Sequence, residues 1–242
     1  KQETLPSFLV IGTQKGGTTS LQKLMECHPE IFLPACKEVH YFTLHPEKPI
    51  NWYKAHFKGA SAQQLIGDIT PYYMFHPDAA KRIKFLLPKV RLIALLRDPV
   101  ERTLSQYFHA KRNGFESLDI KKALEAESSR LGSGSSYSHQ KHSYLSRSRY
   151  LEQLERYESL FQKDKILILR SEDLFMQTQI VWEKIQKFLG VKVQTLTSPL
   201  PRANSGLNEA SSVSPIIREH LRNELKSTVL GIKNRYGFDW GW

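Results

Sequence analysis

The sequence has little cysteine and no long hydrophobic run. Cys27 and Cys36 are the two cysteines among 242 residues, which excludes a cysteine-built metal cage and a scaffold of several disulfides and favours a reducing compartment. No apolar run approaches the roughly 18 to 20 residues that span a bilayer, and none has the layout of a secretory signal. We therefore expect no membrane span in this chain and, provisionally, a cytoplasmic location. Because the chain starts at Lys1 rather than Met, a leader, anchor or neighbouring domain could belong to a longer product.

Acidic residues are outnumbered by basic ones. The chain has 35 Lys and Arg against 24 Asp and Glu, a formal net charge of +11. This excess favours anionic partners, such as a phosphorylated cofactor, an acidic glycan, nucleic acid or a membrane surface, and does not by itself choose among them. With 40% hydrophobic residues, the chain is long enough for one sizeable core, and we predict a single domain over residues 1–242.

A strand, a glycine-bearing loop and a helix follow one another near the start of the chain. Residues 8–11 (FLVI) form a continuous apolar run that stops at Gly12, as in a strand buried on both faces, and helical spacing then runs from Thr18 to Pro29. Further strands are predicted at residues 65–68, 90–96 and 166–169, and further helices at 78–87, after Pro99, at 149–161, at 179–189 and at 214–236. The alternation predicts an α/β, three-layer P-loop-type fold, with a mainly parallel central sheet flanked by helices. Ligands of such sheets bind at the carboxyl ends of the strands.

Residues 132–139 (GSGSSYSH) have the composition of a flexible loop. Such a loop is either a lid over a bound acceptor or a plain surface connection, and the sequence leaves both readings open.

The strongest local pattern is the glycine loop, residues 12–20 (GTQKGGTTS). A Gly-rich turn before a helix exposes backbone N–H groups, and the helix dipole adds partial positive charge, so this geometry suits a phosphate or sulfate. Lys15 adds a full charge, and it precedes the glycine pair rather than following it as a Walker A lysine does. The other interpretation is a capped helix after an ordinary turn. The residues that we expect to bind the anion are Lys15, Gly16, Gly17, Thr18, Thr19 and Ser20.

This order of lysine, glycines and hydroxyl residues resembles the 5′-phosphosulfate loop of the sulfotransferases that use 3′-phosphoadenosine 5′-phosphosulfate (PAPS), particularly the heparan sulfate and bacterial branches. The resemblance recurs in order along most of the chain up to about Gly190, in residues 37–42 (KEVHYF), 67–73 (GDITPYY), 91–107, 148–154 and 166–190. It implies a sulfotransferase that moves a sulfuryl group from PAPS to a hydroxyl or amine and releases adenosine 3′,5′-bisphosphate.

The resemblance implies that Arg97 and Ser105 bind the 3′-phosphate of the donor. The residues agree with this role, because Arg97 follows a buried strand at the ligand edge and carries a planar, permanently charged guanidinium. Ser105 lies near the second turn of the next helix. The alternative is an Arg97 paired with Asp98 or Glu101 and a solvated serine.

On the acceptor side, the resemblance implies that Glu38 is the catalytic base. A carboxylate partly removed from water has a raised proton affinity, which suits that role. In an extended segment, His40 would point to the same side and could orient the acceptor or replace Glu38 as base. Asp68 could contact the acceptor, assist Glu38 or be a structural carboxylate. Ile69 stands where the heparan sulfate enzymes carry a lysine, which weighs against a close assignment to that branch.

The remaining expectations concern the donor. Lys15 would stabilise charge on the leaving phosphate, and Arg202 and Asn204 could form a second loop over the 3′-phosphate and adenine. We expect no metal, because no carboxylate cluster is placed to hold Mg²⁺.

The acceptor could be a glycan, a lipid, a polyketide or a small alcohol or amine, and no specific nucleic acid is expected. Two other function classes stay open, a nucleotide-dependent kinase and a non-catalytic polyanion-binding module.

Overall fold

A five-stranded parallel sheet is the centre of the computed structural model, which describes residues 4–200 and 208–242. The strands are β1 (Phe8–Gly12), β2 (Ile31–Phe32), β3 (Leu65–Ile69), β4 (Arg91–Leu96) and β5 (Ile166–Arg170), and their order in the sheet is β2-β3-β1-β4-β5. All neighbouring pairs are parallel. Because β1 lies at the centre, the loop that follows it emerges at the middle of the carboxyl edge of the sheet.

The helices connect these strands and flank the sheet. Their bounds are α1 (Thr18–Glu26), α2 (Ile50–Ala55), α3 (Tyr72–Phe75), α4 (Ala79–Leu86), α5 (Pro99–Arg112), α6 (Ile120–Gly132), α7 (Ser136–Lys141), α8 (Tyr150–Glu158), α9 (Ser171–Met176), α10 (Thr178–Leu189) and α11 (Pro215–Tyr236). None of the helices in the described part of the chain is long and apolar enough to cross a membrane. The predicted α/β, P-loop-type fold with a mainly parallel sheet is confirmed.

The described residues form two compact units. The first consists of residues 4–96 and 153–200 and contains the whole sheet, and the second consists of residues 97–152 and 208–242 and is helical. The single domain expected over residues 1–242 stays a prediction.

In the first unit, the two central strands β1 and β4 are continuous apolar runs, and the sheet buries them on both faces. All five residues of β1 are buried, and β4 is buried from its second residue onward. The apolar faces of α1 and α10 pack on them, with Leu21, Met25 and Trp182 in one core with the strands. This rigid sheet fixes the positions of the loops at its carboxyl edge.

In the second unit, α5 begins at a side-chain cap and contains a buried cation. Asp98 accepts hydrogen bonds from the backbone N–H groups of Val100 and Glu101, as an N-cap residue does. Arg102 is fully buried and donates to the hydroxyl of Ser148, the amide oxygen of Gln106 and the carbonyl of Tyr144. Burial lowers the pKa of Arg102 to about 10. These neutral acceptors tie α5 to residues 144–148.

The flexible loop predicted at residues 132–139 is wrong in part. Helix α6 continues to Gly132, and α7 begins at Ser136, so residues 133–135 are the connection. One of the serines that suggested a loop is a helix cap, because the Ser135 side chain accepts a hydrogen bond from the N–H of Ser138 at the start of α7.

Candidate functional site

The glycine loop begins at the end of β1 and is anchored on the neighbouring strand. The N–H of Thr13 donates to the carbonyl of Leu95 in β4 at 2.9 Å, and the N–H of Gly16 donates back to the carbonyl of Thr13, also at 2.9 Å. Lys15 turns the backbone at a φ of 67°. The loop is therefore a tight turn held against the carboxyl ends of two central strands.

Both glycines of the pair are required by the backbone. A Cβ at Gly16 would lie 2.7 Å from the carbonyl oxygen of Leu95, closer than atoms can approach. Gly17 has a φ of 95°, a conformation that residues with a side chain rarely adopt. The pair thus permits a close turn directly before α1.

Helix α1 starts without a side-chain cap. Its N-cap residue is Gly17, so the alternative interpretation of a helix with a side-chain cap is wrong. Within residues 4–200 and 208–242, no acceptor takes the backbone N–H of Gly17, Thr18 or Thr19, whereas the N–H of Ser20 bonds to the carbonyl of Gly17. Thr19 is half-buried, and the side chains of Thr18 and Ser20 are buried. Three converging N–H donors at a helix N-terminus form an anion-binding arrangement.

A serine that directly follows β5, and that the sequence interpretation missed, supports this loop. Ser171, the first residue of α9, is buried and donates its hydroxyl proton to the carbonyl of Gly16 at 2.6 Å. The ring of Phe175 lies beneath Gly17, 3.1 Å from where a Cβ would be. A polar residue directly after a strand of a parallel sheet was the available signal, because such a residue emerges at the ligand edge.

Glu38 and His40 are brought together by a turn. The Glu38 Oε2 atom lies 3.0 Å from His40 Nε2, and the side chains are 36% and 15% exposed. The extended segment from which we expected this pairing is wrong, because His40 has a φ of 56°. His40 Nδ1 lies 3.1 Å from the hydroxyl of Thr43, so contacts at both ring nitrogens orient the imidazole.

Asp68 lies in a fully buried cluster of hydroxyl groups at the end of β3. Its Oδ2 accepts hydrogen bonds from Tyr53 and Tyr73 at 2.9 and 2.8 Å, and its Oδ1 accepts one from Thr70 at 2.8 Å. Burial raises the pKa of this carboxyl above its usual 3.8, against a lowering by the three hydrogen bonds and by the charge of His40. Since its side chain is 0% exposed, the geometry favours the structural carboxylate over direct contact with an acceptor.

This cluster also holds the backbone beside His40. The hydroxyl of Tyr73 accepts a hydrogen bond from the N–H of Tyr41 at 3.1 Å while it donates to Asp68. The ring of Tyr41 stacks on that of Tyr53, with centroids 4.3 Å apart. Asp68 is thereby connected to the Glu38 segment through tyrosines rather than by contact with it.

Arg97 and Ser105 belong to the second unit and are both half-buried. Arg97 follows the last residue of β4 in sequence, and its carbonyl accepts a hydrogen bond from Tyr150 at 2.7 Å. The sequence offered Asp98 and Glu101 as alternative partners of Arg97. In the structure, Asp98 accepts a hydrogen bond from the indole N–H of Trp242, and Glu101 forms an ion pair with Arg218.

Two further expectations concern a second loop over the donor and the absence of a metal. Arg202 and Asn204 lie outside the described residues. Within residues 4–200 and 208–242, no group of three or more His, Cys, Asp or Glu side chains could hold a metal ion, and the absence of a metal stays a prediction.

Comparisons with known proteins agree on one family. The family model described as a sulfotransferase domain matches residues 5–227. Membrane-associated sulfotransferase kil1 of Dictyostelium discoideum is 46% identical over 106 residues, which are 43% of this chain and 22% of that protein. Bifunctional heparan sulfate N-deacetylase/N-sulfotransferase 4 of Mus musculus is 30% identical over 195 residues, 77% of this chain and 22% of that protein. The chain thus spans about a fifth of the length of these two relatives.

Solved structures show the same fold. A sulfotransferase from Alicyclobacillus acidocaldarius aligns with a TM-score of 0.82 at 24% identity, over 97% of this chain and 96% of that one. Mouse sulfotransferase SULT7A1, complexed with PAP, aligns with a TM-score of 0.58 at 15% identity, over 95% of this chain and 86% of that one.

Proposed function

Because the chain belongs to the sulfotransferase family, we propose that it transfers a sulfuryl group from PAPS to a hydroxyl or amine acceptor by in-line displacement. In this step, a bond forms between the acceptor atom and sulfur while the bond between sulfur and the 5′-phosphate oxygen breaks. The proton of the acceptor passes to a base of the protein.

The observation that carries the proposal is the group of N–H donors at Gly17, Thr18 and Thr19, beside Lys15. Such donors suit the 5′-phosphate, and charge that develops on its oxygen as sulfur leaves is stabilised by donors already in place. A mouse relative of the same fold has been solved with PAP, the product that this reaction would release.

Glu38 is the proposed base. It is partly exposed, so an acceptor can reach it, and His40 at 3.0 Å would hold its carboxylate in one orientation. Lys15 would neutralise charge on the leaving phosphate, and Arg97 with Ser105 would bind the 3′-phosphate. The proposed acceptor is a glycan, a lipid, a polyketide or a small alcohol or amine, as expected from the sequence.

Binding of adenosine 3′,5′-bisphosphate tests the proposal. At 100 times its Kd, a ligand that binds only the folded state adds about 2.7 kcal/mol to the free energy of unfolding, which appears as a rise in Tm. Arg97→Ala should remove about 1.5 to 3 kcal/mol of binding free energy, because a charge-assisted contact to phosphate is lost. Arg112→Ala is the matched control, since it removes the same charge from an exposed ion pair at the end of α5.

Three results would contradict parts of the proposal. A larger rise in Tm with ATP and Mg²⁺ than with adenosine 3′,5′-bisphosphate would favour a kinase. Binding that falls steeply with salt, without turnover of labelled PAPS, would favour a polyanion-binding module. Equal loss of affinity in Arg97→Ala and Arg112→Ala would remove Arg97 from the 3′-phosphate site.

A further inference from the structure

The peptide that joins Gly16 to Gly17 contributes one of the N–H groups proposed to bind the 5′-phosphate. Its two residues do little to fix the direction in which this N–H group points. Neither residue has a side chain, and glycine occupies positive and negative φ about equally well, so rotation of this peptide meets few steric barriers. In one orientation it presents the N–H of Gly17 to an anion. In the opposite orientation it would present the carbonyl of Gly16, which repels an anion.

Contacts within the first unit select one orientation. The N–H of Gly16 is bonded to the carbonyl of Thr13 at 2.9 Å, and the carbonyl of Gly16 accepts the hydroxyl proton of Ser171 at 2.6 Å. The carbonyl and the N–H of one trans peptide point in opposite directions. With its carbonyl turned to Ser171, the peptide directs the N–H of Gly17 away from α9.

The bond from Ser171 is buried and comes from a rigid element. Ser171 is 3% exposed and follows β5 directly, so its Cα position is set by the sheet. Within a dry environment, the carbonyl of Gly16 would lose its partner if this hydroxyl were removed, and the cost of an unsatisfied buried acceptor would favour rotation of the peptide toward water.

We propose that Ser171 is a positioning residue for the donor: its hydroxyl holds the peptide between Gly16 and Gly17 so that the N–H of Gly17 binds the 5′-phosphate. This inference rests on the proposed function. It restricts the role of Ser171 to one end of the nucleotide, because the 3′-phosphate is assigned to Arg97 and Ser105. Loss of the hydroxyl should therefore weaken contacts to the 5′-phosphate alone.

Two ligands that differ only at the 5′ end make this measurable. Isothermal titration of adenosine 3′,5′-bisphosphate and of adenosine 3′-monophosphate gives the preference for the 5′-phosphate as a ratio of Kd values. In Ser171→Ala, we expect the Kd of the bisphosphate to rise about tenfold, the order of one lost hydrogen bond, while the Kd of the monophosphate hardly changes. A merely structural role would raise both Kd values together and leave their ratio unchanged.

Further variants separate the hydroxyl from side-chain size and from general stability. Ser171→Thr keeps the donor and should restore the preference, and Ser171→Cys, whose thiol is a weak donor, should give an intermediate ratio if the alanine variant fails to fold. Ser7→Ala is the matched control. Ser7 also donates to a backbone carbonyl of this unit, that of Ile66 at 3.3 Å, but it precedes β1 at the other end of the strand.

The outcomes distinguish this inference from the proposed function. If the wild type does not bind adenosine 3′,5′-bisphosphate, the proposed function fails and the role of Ser171 fails with it. If the wild type prefers the bisphosphate and Ser171→Ala keeps the same preference, the role of Ser171 alone is overturned. The proposed role of Ser171 is supported if the preference for the bisphosphate is lost in Ser171→Ala, is present in Ser171→Thr and is present in Ser7→Ala.

Discussion

Two carboxylates of the first unit, Glu38 and Asp68, have opposite environments. Glu38 is 36% exposed and contacts one imidazole, that of His40. Asp68 is 0% exposed and accepts hydrogen bonds from three hydroxyl groups of its own unit. The same chemical group is thus presented to solvent in one place and enclosed by the protein in the other.

The difference indicates which carboxylate can do chemistry on an external molecule. A base must come within hydrogen-bond reach of the proton that it removes, and an enclosed carboxylate does not meet that requirement. Asp68 instead arranges the tyrosines that hold the backbone at Tyr41, next to His40. We therefore propose that Glu38 takes part in the reaction and that Asp68 supports the segment that carries Glu38.

The largest expected effect comes from Glu38→Gln. A general base contributes typically 10² to 10⁴ in rate, and glutamine keeps the shape of the side chain but accepts no proton. We expect kcat to fall by about that factor, with a nearly unchanged Kd for adenosine 3′,5′-bisphosphate and an unchanged Tm. Steady-state rates with labelled PAPS, together with calorimetric binding, measure these quantities.

A different result for Glu38→Gln would break the comparison. If kcat stays near that of the wild type while Asp68→Asn abolishes turnover in a stably folded protein, the base has been misassigned and the enclosed carboxylate must open during the reaction.

The next effect is on stability. In Asp68→Asn, an amide NH₂ replaces one of the two carboxylate oxygens, either the one that accepts from Tyr53 and Tyr73 or the one that accepts from Thr70. In both orientations, at least one hydroxyl donor then faces an N–H donor instead of an acceptor. We expect the free energy of unfolding to fall by about 1 to 3 kcal/mol. Urea unfolding measures this change. Tyr53→Phe is the milder comparison, because it removes one donor and leaves the carboxylate with its other two hydrogen bonds.

Strands β1, β4 and β5 were predictable because each contains a continuous apolar run, and in β1 and β4 that run is buried on both faces. Strand β2 is only two residues long, Ile31–Phe32, and carries no such signal. Helix α6 was not predicted, although Ile120, Ala123 and Leu124 recur at helical spacing and pack in the hydrophobic clusters of the second unit. The missed elements therefore also contribute to the core, but β2 is too short to show a periodic pattern and the apolar spacing of α6 was overlooked.

The site was predictable only where its residues are close in sequence. The glycine loop and the pair of Glu38 and His40 were found from local patterns and a family resemblance. The partner of Gly16 is Ser171, 155 positions away, and the burial of Asp68 depends on tyrosines supplied by other elements. Contacts of this kind arise from tertiary packing, which spacing along one chain does not encode.

A smaller effect is expected for His40→Asn. Asparagine tolerates the positive φ of 56° at this position, so the variant tests the imidazole rather than the backbone. If His40 orients Glu38, kcat should fall about tenfold, the order of one hydrogen bond, with the pH profile of kcat keeping its shape. If His40 is itself the base, kcat should fall as far as in Glu38→Gln and the limb of the pH profile that reports the base should disappear.

The smallest effect is a pH dependence of stability that belongs to Asp68. Burial raises the pKa of this carboxyl in the folded state above its usual 3.8, so the folded protein binds the proton more tightly than the unfolded chain does. The part of the stability that is linked to protonation of Asp68 is then fully present below about pH 3.8 and is lost as pH rises through the pKa of the folded state.

Wild type should therefore lose stability relative to Asp68→Asn as pH rises from about 4 toward about 8, because asparagine does not titrate. Urea unfolding of both proteins across that range gives the difference at each pH, and subtraction removes the titration of groups that the two share. The charge of His40 lowers the pKa of Asp68, so in the His40→Asn background the loss should extend to higher pH. A difference that stays flat with pH would show that the hydrogen bonds balance burial, so that Asp68 is as readily ionised inside the cluster as in water. A difference that grows in favour of wild type would show that the hydrogen bonds outweigh burial. Either result contradicts the prediction.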